Sequence, residues 1–293
     1  LDRRCCEGIR SGLSAVLMNQ NIDDEVVRDF GKEWSRFDQS GADPGELQEA
    51  FEGYFSVFPW NTLPPNAVGF DLGCGSGRWA RLVAPRVGEL HCIDPSEKAL
   101  AVAKVNLQGF ANCKFHLAGV DDIPLPDESA DFGYSLGVLH HVPHTAAALK
   151  ACSRKLKRGA PFLVYLYFAF DNKPPWYRWL WRLSDLLRRG LVRTPFLLRL
   201  LVSQCLALIV YWPLARFALL LERLGFDIDS FPLSYYRRRS FYAMRNDALD
   251  RFGTKLEKRF TKTEIGEMLK AAGLDRISFS ASRPYWCAVG YRS

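Results

Sequence analysis

The eight cysteines of this 293-residue chain form no C-x-x-C pair and show no paired spacing. That argues against a zinc site or a disulfide framework, and for a reducing compartment. No targeting segment is visible, in a chain that opens at Leu1 rather than methionine. No apolar run reaches the ~20 residues that a membrane-spanning helix needs. The leucine-rich, charge-free stretch 200–215 has sixteen residues and is interrupted by Pro213. Acid is almost missing between 173 and 217, where eight basic residues meet only Asp185. That surplus equals the net charge of the whole chain, +7, so the basic character belongs to one segment. Hydrophobic residues at 48% and charged residues at 24% fit a folded globular protein. The length suits one large α/β domain or a domain with a big insertion.

What is present is an ordered alternation. Residues 1–64 read as a mostly helical arm, in which Phe30-Gly31-Lys32-Glu33-Trp34-Ser35-Arg36-Phe37 spaces its aromatics as a helix would. Leu63-Pro64-Pro65-Asn66 breaks the chain before the first core strand. Strands at 68–72, 89–93, 114–117, 132–136 and 161–167 are interleaved with helices at 77–84, 96–109 and 145–157. This pattern predicts a doubly wound, mostly parallel α/β sheet. Thr261 and Glu264 form a capping box for a helix over 261–272, and Gly273 stops it. Two strands, 276–280 and 285–291, follow. The expected organisation is an arm (1–64), a core (65–168), a helical insertion (169–257) and a segment completing the core (258–293).

The stretch Val68-Gly69-Phe70-Asp71-Leu72-Gly73-Cys74-Gly75-Ser76-Gly77-Arg78-Trp79 joins an apolar run, an acid and three alternating glycines to a helix-like pattern. Glycine at every second position lets backbone approach a ligand and take positive φ. A strand, a glycine turn and a helix N-terminus cradle the sugar end of a nucleotide-like cofactor. The spacing D-x-G-x-G-x-G is not the G-x-G-x-x-G dinucleotide fingerprint, so an NAD-dependent oxidoreductase fails on it. It resembles motif I of class I S-adenosylmethionine (SAM) dependent methyltransferases, of the small-molecule and lipid type (methyltransferase type 11-like). The resemblance covers roughly 65–168 and 258–293. It implies SAM as cofactor and a Rossmann-like, seven-stranded sheet with an antiparallel last strand. It also implies a loop of Gly73, Cys74, Gly75 and Gly77, with Asp71 helping to hold the amino-acid end of SAM. The alternative is a tight strand-to-helix turn without function.

Asp94, followed by Pro95, ends the second strand 23 residues after Asp71. A carboxylate there can accept hydrogen bonds from both ribose hydroxyls, or merely cap the next helix. Gly119-Val120-Asp121 resembles the family's adenine-contacting segment, except that Gly119 stands where an acid is expected, leaving Val120 and Asp121 as substitutes. The strand ending at Leu136 runs into Gly137-Val138-Leu139-His140-His141, which resembles the segment that passes beneath the transferred methyl. The N/D-P-P-Y/F clamp of nucleic-acid amino-methyltransferases is missing there, and Pro174-Pro175-Trp176 lies in the wrong place to supply it. Of the E-x-x-E-H pattern of metal-using quinone O-methyltransferases only the last histidine matches, so no metal is expected. His141, and more weakly His140, is the candidate general base, against a histidine simply packed at a helix start. Trp34, in an element similar to one that closes over SAM in some relatives, is a further cofactor candidate, against a plain amphipathic helix.

The insertion carries Trp176, Trp179, Trp181 and Trp212 among arginines. It reads as a buried helical lid, as an interfacial membrane-docking element over 173–223, or as a membrane span, and the first two can coexist. Long leucine runs argue against nucleic acid as the partner of its basic residues. The expected activity is methyl transfer from SAM to a hydroxyl, amine or carbon of a small or lipid-like acceptor. The expected location is the cytoplasm, peripheral to a membrane. The alternative is a non-catalytic SAM- or nucleoside-binding protein that acts as a membrane-associated partner.

Overall fold

A computed structural model describes residues 21–293, so the first part of the expected arm lies outside the described residues. Seven strands form one sheet: β1 (Val68–Leu72), β2 (Glu89–Asp94), β3 (Cys113–Leu117), β4 (Phe132–Leu136), β5 (Pro161–Tyr165), β6 (Leu274–Phe279) and β7 (Cys287–Arg292). Their order is β3-β2-β1-β4-β5-β7-β6. Strands β1 to β5 pair in parallel, and β7 runs antiparallel to both β5 and β6. This is the doubly wound arrangement that the alternation predicts, with its switch point between β1 and β4.

Period-two alternation divides the core between the two faces of the sheet. Phe132, Tyr134 and Leu136 of β4 point toward arm aromatics Phe51, Phe55 and Phe58, whereas Phe70, Phe162 and Val164 pack with Leu149, Ile265 and Leu269 on the other face. Gly69 and Gly133 leave room for crossing rings: a Cβ on Gly69 would lie 2.2 Å from Phe132, and one on Gly133 would lie 2.3 Å from Phe70.

The arm contributes α1 (Asp24–Arg36) and α2 (Pro44–Tyr54). Asp23 caps α1 by accepting from the Glu25 and Val26 amides. After β1 the helix expected over 77–84 shortens to α3 (Ala80–Val83), because Gly77 at φ +77° still belongs to the turn. Helices α4 (Glu97–Asn106) and α5 (Thr145–Lys155) follow their strands. Strand β5 stops at Tyr165, two residues early. Beyond it the Tyr167 carbonyl accepts from the Phe260 amide (2.9 Å), which draws the chain out of the sheet.

Between β5 and the capping-box helix α9 (Lys262–Ala271) lie α6 (Pro175–Leu191), the 28-residue α7 (Phe196–Arg223) and α8 (Phe241–Gly253). Helix α7 passes Pro213 by widening to a π-turn over Ala207–Tyr211. It is therefore longer than the sixteen-residue stretch suggests, and long and apolar enough to cross a membrane. A spanning placement conflicts with its packing, because Arg199, Ser203, Ala207, Tyr211, Ala215 and Ala218 form a buried stripe along its length. Several of them join Leu191, Met244, Ala248 and Phe252 in a separate small core. Arm and insertion clasp each other over the carboxyl ends of the strands. Arg199 pairs with Asp29 at 2.7 Å, Asn246 Nδ2 donates to Glu33 (2.8 Å), and the Gln39 amide donates to the Tyr242 hydroxyl (3.0 Å).

Candidate active site

The glycine loop is held from behind. Amides of Gly73 and Cys74 donate to the Ile93 carbonyl (2.7 and 3.1 Å), and the Gly75 amide donates to Asp94 Oδ2 (2.9 Å). The Ser96 amide donates to Asp94 Oδ1 (2.8 Å), so one carboxylate ties the loop to the start of α4. Burial pushes the Asp94 carboxyl up to about 6, against the pull of these two amides. Gly75 sits at φ +54°, and a Cβ on it would stand 2.9 Å from the Trp34 indole, so the arm lies directly on the loop. The Arg78 guanidinium stacks over Trp34 (5.6 Å) and Trp79 (4.5 Å).

In front of the loop is a cavity of about 630 Å³. Trp34, Gly73 and Cys74 line it, as do Asp94, Pro95 and Val120, and Leu136 and His141 from the end of β4. The other residues singled out from sequence are placed elsewhere. Asp71 is 1% exposed, on the opposite side of β1 from the neighbouring Phe70 and Leu72, in register with Tyr134 of β4. Its Oδ2 and the Tyr134 hydroxyl have no hydrogen-bond partner among the described residues. Burial pushes its carboxyl up to about 8, only partly offset by the nearby hydroxyl. Gly75 lies beneath Trp34, and Gly77 makes room for Leu107, to which a Cβ would come within 2.9 Å. Both shape the loop and do not face the cavity. Asp121 is exposed, and its carboxylate accepts from the Asn21 amide. His140 is fully buried outside the cavity and stacks on Tyr167 at 3.8 Å, with both ring nitrogens unpartnered among the described residues. Burial drives its pKa well down.

His141 is the histidine that reaches the cavity. Its Nδ1 donates to the Leu256 carbonyl (2.6 Å), which assigns the proton to Nδ1 and leaves Nε2 as a lone pair without a partner among the described residues. Burial holds its pKa below the ordinary value, opposed by Asp250, so the ring is neutral at neutral pH.

Other side chains complete the wall. The Tyr167 hydroxyl donates to Asp250 Oδ2, and the Tyr236 hydroxyl donates to Asp247 Oδ2 (2.9 Å). Glu33, Asp247 and Asp250 all line the cavity, and none forms an ion pair among the described residues. Burial, and then the charges of Asp250 and Asp247, raise Glu33 well above the usual carboxylate range, while burial lifts Asp247 to about 6. Of the arginines nearby, Arg251 and Arg259 both pair with Glu257, while the charge of Arg78, on the same cavity wall, pulls Asp247 and Glu33 partly back down. The signal that could have found the acids is Asn246-Asp247-Ala248-Leu249-Asp250, with two carboxylates three apart on one helix face. Among the described residues no His, Cys, Asp or Glu cluster is arranged to hold a metal.

Residues 70–164 match the family described as methyltransferase domain. Over 107 residues the chain is 34% identical to the ubiquinone biosynthesis O-methyltransferase of Alkalilimnicola ehrlichii, covering 36% of this chain and 42% of that protein. It is 27% identical over 127 residues to the demethylmenaquinone methyltransferase of Bacillus licheniformis, covering 37% and 54%. The chain thus spans about half the length of the curated relatives it matches. Among solved structures, a chain of a Haloferax volcanii methyltransferase–activator complex superposes with a TM-score of 0.50 at 14% identity, covering 89% of this chain and 96% of that one. At such identity the likeness shows the fold alone. Residues 70–164 thus carry a methyltransferase domain, with the glycine loop at its start and within a seven-stranded sheet of order β3-β2-β1-β4-β5-β7-β6.

Proposed function

We propose that this chain binds SAM in front of the glycine loop and transfers its methyl group to a hydroxylated, lipid-like acceptor at a membrane surface. The observation that carries the reading is one continuous cavity. It runs from Gly73, Asp94 and Trp34 to Tyr177, Leu180 and Leu214 on the inner faces of α6 and α7. The first end fits a nucleoside: Gly73, at φ +77°, brings bare backbone to the cavity wall, and Asp94 offers its remaining lone pairs to the ribose hydroxyls. Trp34 covers the loop, Pro95 and Val120 wall the base, and Leu136 lies beneath the reacting end. The second end is apolar and aromatic, as a ring-bearing amphiphile requires.

SAM, when bound, supplies a methyl already activated on a sulfonium. The chain's own work is to position the acceptor in line and to manage one proton. His141 Nε2 takes the proton from the acceptor hydroxyl, and its neutral state at neutral pH makes it competent to do so; such assistance is worth about 10²–10⁴ in rate. The Tyr167–Asp250 pair stands beside it and polarises the same region. Water is excluded by the arm and the insertion, which meet through Asn246 and Glu33.

The test is to incubate the full chain with methyl-labelled SAM and hydroquinones carrying short or long isoprenoid tails, and to measure both S-adenosylhomocysteine and label in the organic phase. Label in a lipid-soluble ether supports the reading. SAM binding without turnover on any extract would instead favour the non-catalytic partner, and label confined to the aqueous phase would remove the lipid-like acceptor.

A further inference from the structure

The inner faces of α6 and α7 line the cavity, but their outer faces pack on none of the described residues. On α6, Trp176, Trp179, Leu183, Leu186 and Leu187 are between 51% and 69% exposed. On α7, Leu197, Leu201, Leu208, Ile209 and Trp212 are between 46% and 77% exposed. A soluble domain rarely leaves so many large apolar groups together on two neighbouring helices.

The charges around this face identify its occupant. Three of the segment's basic residues are consumed inside the fold: Lys173 pairs with Asp229, Arg188 with Asp185, and Arg199 with Asp29. Arg178 and Arg182 on α6 and Arg193 in the turn that joins α6 to α7 are exposed and have no ion-pair partner among the described residues. No acid is exposed between 173 and 217, since Asp185 is buried. A second copy of this chain seated on the face by two-fold symmetry would bring arginine against arginine. Apolar groups ringed by tryptophan and unpaired arginine suit a bilayer with anionic headgroups, into which tryptophan settles at the boundary and arginine reaches for phosphate.

We infer that α6 and α7 are a monotopic docking platform for an anionic lipid bilayer, and that the cavity opens within the docked face. Leu180 carries the second half of this statement, because it lines the cavity and is also 40% exposed on α6. An acceptor dissolved in the bilayer would pass by Leu180 into the cavity without crossing water. The docking does not depend on methyl transfer. Only the opening rests on the acceptor reading given above.

Flotation of the full chain with phosphatidylcholine vesicles, with and without phosphatidylglycerol, tests the platform separately from catalysis. The chain should float with the anionic vesicles and lose binding as salt rises. Replacing Arg178, Arg182 and Arg193 together by Gln should weaken anionic binding on the order of a hundredfold, at about tenfold or less per charge. The double variant Trp179→Glu/Leu186→Glu should abolish flotation while retaining wild-type SAM affinity, which shows that the fold is intact. The inference is overturned if the wild-type chain fails to float with either vesicle, or if the folded double variant floats as well as wild type. It is equally overturned if the chain is a dimer that the double variant dissociates. If flotation holds and no acceptor is methylated, docking stands and the acceptor reading falls.

Discussion

Asp71 offers a measurement that separates a structural carboxyl from a cofactor ligand. Its carboxyl is buried, and burial lifts its pKa to about 8, whereas an aspartate in an unfolded chain titrates near 3.9. Between those two values the folded protein holds a proton that the unfolded chain releases, so stability falls as pH rises, by up to about 1.4 kcal/mol per pH unit. The contribution is complete below about pH 4 and is gone above about pH 8. Asp71→Asn has nearly the same shape and cannot ionise. Measured by urea unfolding at a series of pH values, wild type should lose stability relative to the variant by about 2–4 kcal/mol between roughly pH 5 and pH 8, with unchanged m. SAM affinity, followed by calorimetry, should stay within about threefold, because the carboxyl is outside the cavity. Parallel stability profiles would mean that the carboxyl is ionised in the fold. A loss of SAM affinity of about tenfold or more would return Asp71 to the amino-acid end of the cofactor.

Asp94→Ala removes the acceptor of both the Gly75 and Ser96 amides. SAM affinity should fall by at least about tenfold in calorimetry, since each charge-assisted bond is worth about 1.5–3 kcal/mol. His141→Gln should lower kcat by about a hundredfold with SAM affinity unchanged. In wild type, kcat/KM should rise with pH through a value below 6.5, because burial lowers the imidazole pKa, and the variant should lack that acid limb. Asp29→Ala leaves the buried Arg199 guanidinium with only the Gly253 carbonyl beside it. Denaturant unfolding should register a loss of about 3 kcal/mol, and Asp29→Ala/Arg199→Met should recover part of it.

The glycine loop was legible because its geometry is local: three positive-φ glycines within five residues specify a turn whatever surrounds it. Asp94 was legible for the same reason, being fixed by its place at a strand end. The place of Asp71 outside the cavity was not legible, because its side-chain direction depends on which face of β1 meets Tyr134, and that register is a tertiary fact. His141 and His140 could not be separated by sequence, since the difference lies in one carbonyl, Leu256, more than a hundred residues away. The cavity acids Asp247 and Asp250 were missed because only the return of α8 against the arm brings them to the glycine loop. The sequence shows that the basic character belongs to one segment, but not where its charges go. Counting charges along the chain cannot show that Lys173 and Arg199 find their acids at Asp229 and Asp29, outside the segment.

That redistribution of charge lets one insertion both pack on the protein and present the outer face proposed above to dock on a bilayer. A segment whose basic residues all faced outward would bind polyanions indiscriminately. The Arg199–Asp29 pair fixes α7 to the arm, Arg188 pairs within α6 while donating to the Thr254 carbonyl just after α8, and Lys173–Asp229 ties the chain before α6 to the chain after α7, which leaves three arginines bordering the outer apolar face. The pairs also set the distance between the two helices and the glycine loop, because Arg199 reaches Asp29 only one helical turn from Glu33 and Trp34. Loosening that clasp should therefore affect more than stability. In Asp29→Ala, Trp34 is freer to leave Gly75, so SAM affinity should fall together with the unfolding midpoint. Wild-type SAM affinity in the destabilised variant would refute the coupling, because the arm would then cover the loop without help from the insertion.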